Sequence, residues 1–396
     1  MSVYVVRQVR KVADTPAEVW ARGLTASSEG PWWYQILEDS GLEDQFSFHY
    51  AVVERDGQPV AVAPLFVADV PIELVVPDEL MPVFRLLGRL IPSLLVQRTL
   101  FVGSVCSDQG DVAILPGEDR AGVLLAVARS LDALARAEKA PMLVWKDFPD
   151  AYRADMAAVC GQAGFFTAPS FPGAEVAFSG ADKESYFAGM KSSHRQQLRK
   201  KLRRSVEKSD LELSTIQHPS DAQLDEILGL FMQTYEKAET RFERLDRHFF
   251  EATCQHEQSH FILLRDRADE KLVAFMLCFD LGKVVINKFI GIDYAKPKDW
   301  MLYFRLTEAA IDWALSKGAA RLQSGQTGYR VKIELGHSLV PLTNYGRHRN
   351  PLVHAVYAQV AKTINWSTLD PDLAKHLAAH PDNPTAAPGR WSHTAI

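Results

Sequence analysis

The chain has 396 residues, 47% apolar and 23% charged, which fits a globular protein and excludes disordered and fibrous classes. That length suits two domains rather than one small core. The formal net charge is −5, with 14 Lys and Arg against 23 Asp and Glu in residues 1–180 and 30 against 26 in 181–396, so basic character is local.

The opening MSVYVVRQVRKVADTP has neither a continuous apolar stretch nor a small-residue cleavage pattern, and no secretory signal is expected. The segment LMPVFRLLGRLIPSLLVQ (80–97) is broken by Arg85, Arg89 and two prolines, short of the ~18 uncharged residues that crossing a bilayer needs. Cys106, Cys160, Cys254 and Cys278 are widely spaced, with no CxxC pair and no histidines at zinc-site spacing. Reduced thiols in a cytoplasmic protein without a metal are expected.

In chain order, VYVVRQV reads as a strand, PAEVWARGL and WWYQILEDSGL as helices, and FSFHYAVVERDGQPVAVAPLFVADV as a hairpin turning at Asp56-Gly57. Residues 78–97 are helical in pattern and lead into a strand pair, TLFVGSV and DVAIL. A strong amphipathic helix over AGVLLAVARSLDALARAEKA, the strand PMLVWKDF, the helix YRADMAAVCGQAGF and the strand AEVAF complete the first half. After a basic helix, LELSTI is a strand and DAQLDEILGLFMQTYEKA and DRHFFEATCQHEQ are helices. A three-strand meander follows, turning at Ala268-Asp269 and Leu281-Gly282. MLYFRLTEAAIDWALSKG is a helix with a glycine stop, ARLQSG a strand, GYRVKIELG a short helix and SLVPLTNYG one strand. The fold class is mixed α/β, and the halves match element by element as a duplication does. The expected domains are 1–180, 181–366 with the basic helix first, and a poorly ordered tail over 367–396.

In SSHRQQLRKKLRRSVEKS (192–209), Met190, Leu198, Leu202 and Val206 share one face and predict a helix with a buried seam. Between 190 and 208 eight Lys and Arg oppose Glu207 alone. Ser192 or Ser193 as N-cap presents backbone N–H groups toward an anion. A solvated charged face accounts for the same pattern, and no recognised DNA-binding module accompanies it. Asn287 and Lys288 stand among apolar residues of the meander; Lys288 reaches solvent at a cleft or pairs with a carboxylate, because an unpaired buried ammonium is costly. Tyr329 and Lys332 share a helix face, and a phenol with pKa near 10 can donate a proton while neutral at pH 7. His194, His248 and His348 have no metal-like spacing.

The order strand, helix pair, meander, long helix, strand, helix, strand resembles the GNAT acyltransferase fold. The duplication opening on a basic helix resembles the tandem-GNAT, Fem-type peptidoglycan aminoacyltransferases and their broader acyltransferase relatives. The residues carrying this are SYFAGMKSSHRQQLRKKLRR, FIGIDYAKPKDWMLYFRLTEAAIDWALSKGAARLQSGQ and GYRVKIELG. The resemblance implies two GNAT-like domains in tandem, with the chemistry in the second. Arg195 and Arg199, from an S-x-x-R-x-x-L-R pattern with Ser192, would hold phosphates of the donor or acceptor. The strand before the long helix would splay from its neighbour, its N–H polarising a thioester carbonyl, and the pyrophosphate would sit near Gly291 to Tyr303. The usual glycine-rich phosphate loop is absent, with AKPKDWMLYF in its place. Tyr329 would protonate the leaving thiolate, and Lys332, Lys288, Tyr303 and Gln326 would contact substrate. Asp293 is the first candidate for deprotonating the amine, with Glu236 and Glu239 as alternatives.

The function implied is direct acyl transfer, in a cleft between the copies, from acyl-CoA as co-substrate to a small-molecule amine. An aminoacyl-tRNA donor is the second reading, and a non-catalytic module binding an anionic partner the third. Residues 80–97 serve either as an inter-domain helix or as a lid over an acyl chain through Phe84, Leu86, Leu87, Leu90 and Leu94, and their basic amphipathic character permits loose membrane-surface contact. Asp108 and Asp147 lie at strand ends of the first copy.

Overall fold

The computed structural model describes residues 4–25, 28–71, 86, 88, 95–238 and 243–380. The chain forms two units: residues 1–38, 42–172 and 340 onward make the first, and 39–41 with 173–339 the second. Of the apolar segment 80–97, only residues 86, 88 and 95–97 are described, so the lid and the membrane contact expected there lie outside the described residues.

The first unit opens with β1 (Tyr4–Val9), α1 (Ala17–Gly23), α2 (Pro31–Asp39), β2 (Phe46–Arg55) and β3 (Gln58–Pro71). The expected β2–β3 hairpin turns at Asp56, φ 53°, and Gly57, φ 75°; two successive left-handed residues give the twist that paired strands require. Then come β4 (Val96–Val102), β5 (Ala113–Ile114), α3 (Arg120–Ala137), β6 (Met142–Pro149), α4 (Arg153–Ala163) and β7 (Phe166–Pro169). β4 and β5 do not pair with each other as expected. β3 is long enough to host both, β5 at Ala61 and Val62 and β4 from Leu65 to Pro71. The Asp119 carboxylate caps α3, which lays Val123, Val127 and Leu131 on a core containing Trp145 and Phe148.

The second unit contains β8 (Gly173–Ala177), α5 (Lys183–Ala188), α6 (Ser192–Lys208), β9 (Leu211–Ile216), α7 (Asp221–Lys237), α8 (Arg247–Thr253), β10 (Ser259–Asp266), β11 (Leu272–Asp280), β12 (Val284–Ile292), α9 (Leu302–Ser316), β13 (Arg321–Gln323), α10 (Tyr329–Glu334) and β14 (Ser338–Val340). β10, β11 and β12 are the expected meander. α9 stops as expected before Gly318, at φ 70°. It buries Leu306, Ala310, Ile311 and Ala314 in a core with Val285 and Leu322.

The chain then returns to the first unit with β15 (Leu342–His348), α11 (Pro351–Ala361), α12 (Trp366–Leu369) and α13 (Pro371–Ala379). The first sheet runs β1-β2-β3-β4-β6-β15-β7, and the second β14-β8-β13-β12-β11-β10-β9. Each sheet thus takes one strand from the other half of the sequence, β15 in one and β8 in the other. SLVPLTNYG, expected as one strand, is two strands in different sheets. The break falls at Pro341, which has no N–H for a ladder. The units consequently change at 172/173 and 339/340, in place of 180/181 and 366/367. The tail expected to be poorly ordered is helical over Trp366–Leu369 and Pro371–Ala379, with N-caps from Asn365 and Asp370 and with Trp366 fully buried. Residues 381–396 lie outside the described residues.

α7 packs tightly against β12 at Gly291, where an added Cβ would lie 2.3 Å from the Phe275 ring and 2.7 Å from the Leu230 backbone. One residue on, the Ile292 N–H donates to Thr234 Oγ1 of α7 at 3.2 Å. Gly291→Ala should lower stability by about 1–3 kcal/mol, the cost of overpacking. A urea unfolding midpoint equal to wild type would contradict this close approach.

Candidate functional site

β12 and β13 pair in parallel over only three positions, Val284–Arg321, Val285–Leu322 and Ile286–Gln323. Beyond Ile286 the strand keeps its partner β11 and loses β13. Within that stretch the β11 register shifts: Leu277 faces Phe289 while Cys278 faces Asn287. Lys288 is the extra residue of a β-bulge, a device that bends a strand and re-aims its side chains. The β12–β13 pairing thus ends just before Asn287–Lys288, slightly before the Gly291–Tyr303 region where the splay is expected.

After β13 the chain passes through Gly325 at φ 61°, Thr327 at φ 59° and Gly328 at φ 61°. Three left-handed residues cannot continue a strand, and the loop delivers Tyr329, fully buried, to the first position of α10. Lys332, one turn later, is only 4% exposed. Its ammonium donates to the Gly325 carbonyl at 3.1 Å and the Gln326 carbonyl at 2.9 Å, which offsets the cost of burying the charge. Gln326 contributes to this brace through its backbone. The Tyr303 hydroxyl lies 3.9 Å from where a Cβ on Gly328 would stand, and burial, then Tyr294, pushes its pKa up, keeping the phenol protonated. Tyr303, Gln326, Tyr329 and Lys332 are therefore gathered around one loop.

Beneath the loop runs a polar chain that sequence reading missed. Asn287 Nδ2 donates to Ser324 Oγ at 3.0 Å, Ser324 Oγ lies 2.8 Å from His337 Nε2, and His337 Nδ1 lies 3.0 Å from the Lys332 carbonyl. Ser324 and His337 have the geometry of a nucleophile and its base, but not the electrostatics. Burial, with the Lys332 charge second, lowers His337 to about 3. An imidazole that resists protonation this strongly is a poor proton acceptor at neutral pH, so the pair orients neighbours rather than attacking substrate.

The basic helix α6 buries Leu198, Leu202 and Ser205, whereas Val206, expected in the seam, is 59% exposed. The seam ends in a hydroxyl because Ser205 Oγ donates to the Trp300 carbonyl at 2.5 Å. Neither serine is the N-cap: Lys191 occupies that place, its side chain makes no cap bond, and Ser192 is the first helical residue. His194 Nε2 donates to the Glu334 carbonyl at 2.6 Å, and Lys201 pairs with the Glu334 carboxylate, fastening α6 to the helix that carries Tyr329 and Lys332. Arg195 donates to the Phe187 carbonyl at 3.3 Å. Arg199 pairs with Glu184 at 2.5 Å and lies over the Phe187 ring. Lys191, Lys200, Arg203, Arg204 and Lys208 are exposed and carry no ion pair among the described residues.

A family model named FemAB-like, described as peptidoglycan biosynthesis/recognition, matches residues 147–364, more than half of the chain. The chain belongs to the FemAB-like family. Two Mycobacterium tuberculosis proteins, from strains CDC 1551 and H37Rv, both named putative 8-amino-7-oxononanoate synthase 2, align with it over 353 residues at 23% identity. The alignment covers 86% of this chain and 45% of each relative, so the chain spans less than half the length of these curated relatives. Among solved structures, FemX is similar with TM-score 0.54 at 12% identity, covering 82% of this chain and 94% of FemX. A tandem GNAT protein from the clavulanic acid biosynthesis pathway gives 0.51 at 12%, covering 88% and 99%, and L-PGS from Bacillus licheniformis 0.51 at 12%, covering 83% and 96%. These likenesses establish the tandem GNAT fold.

Other expected residues of this FemAB-like chain stand apart from the loop. Asp293 directly follows β12 and uses Oδ1 to accept the Ala295 N–H at 2.9 Å in a turn. Glu236 is exposed near the end of α7, and Glu239 lies outside the described residues. In the first unit Asp147 is buried, with φ 60°. Ser170 and Lys146 bond its carboxylate and its N–H donates to Asn344 Oδ1 at 2.7 Å, tying β15 to β6. Burial pushes the Cys160 thiol up to about 11 and Cys254 up to about 12, so neither is a thiolate at neutral pH. No cluster that could hold a metal occurs among the described residues, and no helix among them is long and apolar enough to cross a membrane.

His337 makes a pH prediction. Its folded pKa is depressed from 6.5 to about 3, so the stability it contributes is complete above pH 6.5 and is lost as pH falls toward 3, while the unfolded chain alone takes up the proton. Between pH 7 and 5, wild type should lose about 2 kcal/mol relative to His337→Gln, read from urea midpoints of both proteins. An identical acid response would show that His337 is not held neutral.

Proposed function

We propose that the chain is an N-acyltransferase that carries an acyl group from an acyl-CoA thioester to the amine of a small molecule by direct attack. The observation supporting this most is the parting of β12 from β13 at Ile286–Gln323, beside a loop that presents Tyr329. Where a strand loses its neighbour, its backbone N–H groups are left to bond something else. A thioester carbonyl in that gap would have its developing oxyanion stabilised by such a group. Tyr329 would give its phenol proton to the leaving thiolate, and the attacking nitrogen would lose one to Asp293, whose second oxygen accepts no hydrogen bond among the described residues. Lys288, at the bulge, and Tyr303 would contact the acyl donor. Lys332 and Gln326 would act by holding the loop.

Donor phosphates would be met by the uncapped N-terminal amides of α6 at Ser192 and by Arg195; Arg199, committed to Glu184, would contribute less. The acceptor class is a small molecule bearing a primary amine. A compartment that holds acyl-CoA, the cytoplasm, is the matching location. The unpaired outer cations of α6 favour, as a second reading, an aminoacyl-tRNA donor.

The two readings separate on calorimetric titration with acyl-CoA and with charged tRNA across a salt series. The first expects saturable acyl-CoA binding that tRNA does not displace. The second expects tRNA affinity to fall steeply with salt, by a log–log slope near −0.9 per neutralised duplex phosphate. Tyr329→Phe should lower kcat about 100-fold, the usual scale of acid catalysis, with the donor KM within about twofold. An unchanged kcat removes Tyr329 from the reaction. Wild-type protein that binds neither donor and transfers nothing would leave a module for another anionic partner.

A further inference from the structure

The polar chain beneath the loop has a direction, and the direction fixes what its free end can bind. The Lys332 carbonyl can only accept, so His337 Nδ1 carries a hydrogen. With the ring neutral, Nε2 is an acceptor, and the single proton of Ser324 goes to it. The Ser324 oxygen must then accept from Asn287, and only the carboxamide NH2 can donate. A carboxamide's two ends are ordinarily interchangeable, but here a backbone carbonyl three bonds away decides which is which. The Asn287 oxygen is turned from this chain and has no partner among the described residues.

Asn287 is the first residue of β12 beyond its last pairing with β13 and the residue before the bulge at Lys288. It is half-buried, while Ser324 and His337 are 4% and 6% exposed. We infer that Asn287 is a substrate-binding residue whose carboxamide oxygen accepts a hydrogen bond from a substrate N–H, with Ser324 and His337 as positioning residues that hold the amide in that orientation. The inference rests on the acyl-transfer reading above and deepens it. Two groups offer the same N–H chemistry, an amide of the CoA pantetheine arm and the attacking amine. A group with acceptors only, such as an ester or ether oxygen, would meet a lone pair and be rejected.

The test uses the full chain in two measurements. Nitrogen-15 spectra of the labelled protein should show His337 as the Nδ1–H tautomer; the Nε2–H tautomer would reverse the chain and overturn the inference without reference to activity. Calorimetry with CoA, and acetyl transfer to n-butylamine as amine probe, are then compared in wild type, Asn287→Leu, Ser324→Ala and Ser324→Thr. Asn287→Leu and Ser324→Ala should each weaken one parameter about tenfold, the scale of one hydrogen bond, and Ser324→Thr should restore it. Loss of CoA affinity assigns the N–H to the donor arm; a raised amine KM at unchanged CoA affinity assigns it to the acceptor. Both parameters within twofold of wild type in Asn287→Leu overturn the inference, and that variant decides if Ser324→Ala fails to fold. Wild type that neither binds CoA nor transfers overturns the acyl-transfer reading and this assignment together.

Discussion

A parallel ladder only three residue pairs long governs the second unit. β13 cannot extend past Gln323 because the next residues turn left-handed at Gly325, Thr327 and Gly328, and a loop of that shape has no ladder to offer β12. The Lys332 ammonium holds it by bridging two of its carbonyls. The gap along β12, the bulge at Lys288, and the positions of Tyr329 and Asn287 all follow from this early stop.

The polar residues around that stop are expensive to bury. Lys332, Ser324 and His337 are each at most 6% exposed, and apolar residues of similar volume would serve a core at least as well. Each of these three has a named partner, and polar groups satisfied in this way favour a single arrangement over alternatives. The depressed His337 pKa belongs to the same economy of space: a second proton would have to sit in a dry site beside an ammonium. A neutral, oriented imidazole supplies geometry where a charged one would disrupt it.

Sequence periodicity reached the features set by neighbouring residues. The Asp56-Gly57 hairpin, the β10–β12 meander, the glycine stop of α9 and the Tyr329–Lys332 helix are all local patterns, and the structure contains them. Partnerships between distant residues were not legible. Asn287 and Ser324 are 37 positions apart, and Ser324 and His337 lie 13 apart across a loop and a helix. Val206 has the right spacing for the α6 seam, but Ser205 takes the inward place because the Trp300 carbonyl waits there. Arg199 fits a phosphate-binding spacing and is met by Glu184 from the preceding helix. One long-range feature did leave a local mark: Pro341, inside a stretch otherwise patterned as a strand, signals the point where the chain changes sheets.

That change of sheets affects how the protein can be made. The first sheet contains β7, from residues 166–169, yet the strand that joins it to β6 is β15, at 342–348. On a ribosome, the first unit waits with a missing strand while the entire second unit is synthesised. Its open edge between β6 and β7 is an adhesive surface for that interval. The arrangement also makes the duplication hard to undo genetically, since cutting the gene between its two similar halves would leave each product without the strand its sheet requires.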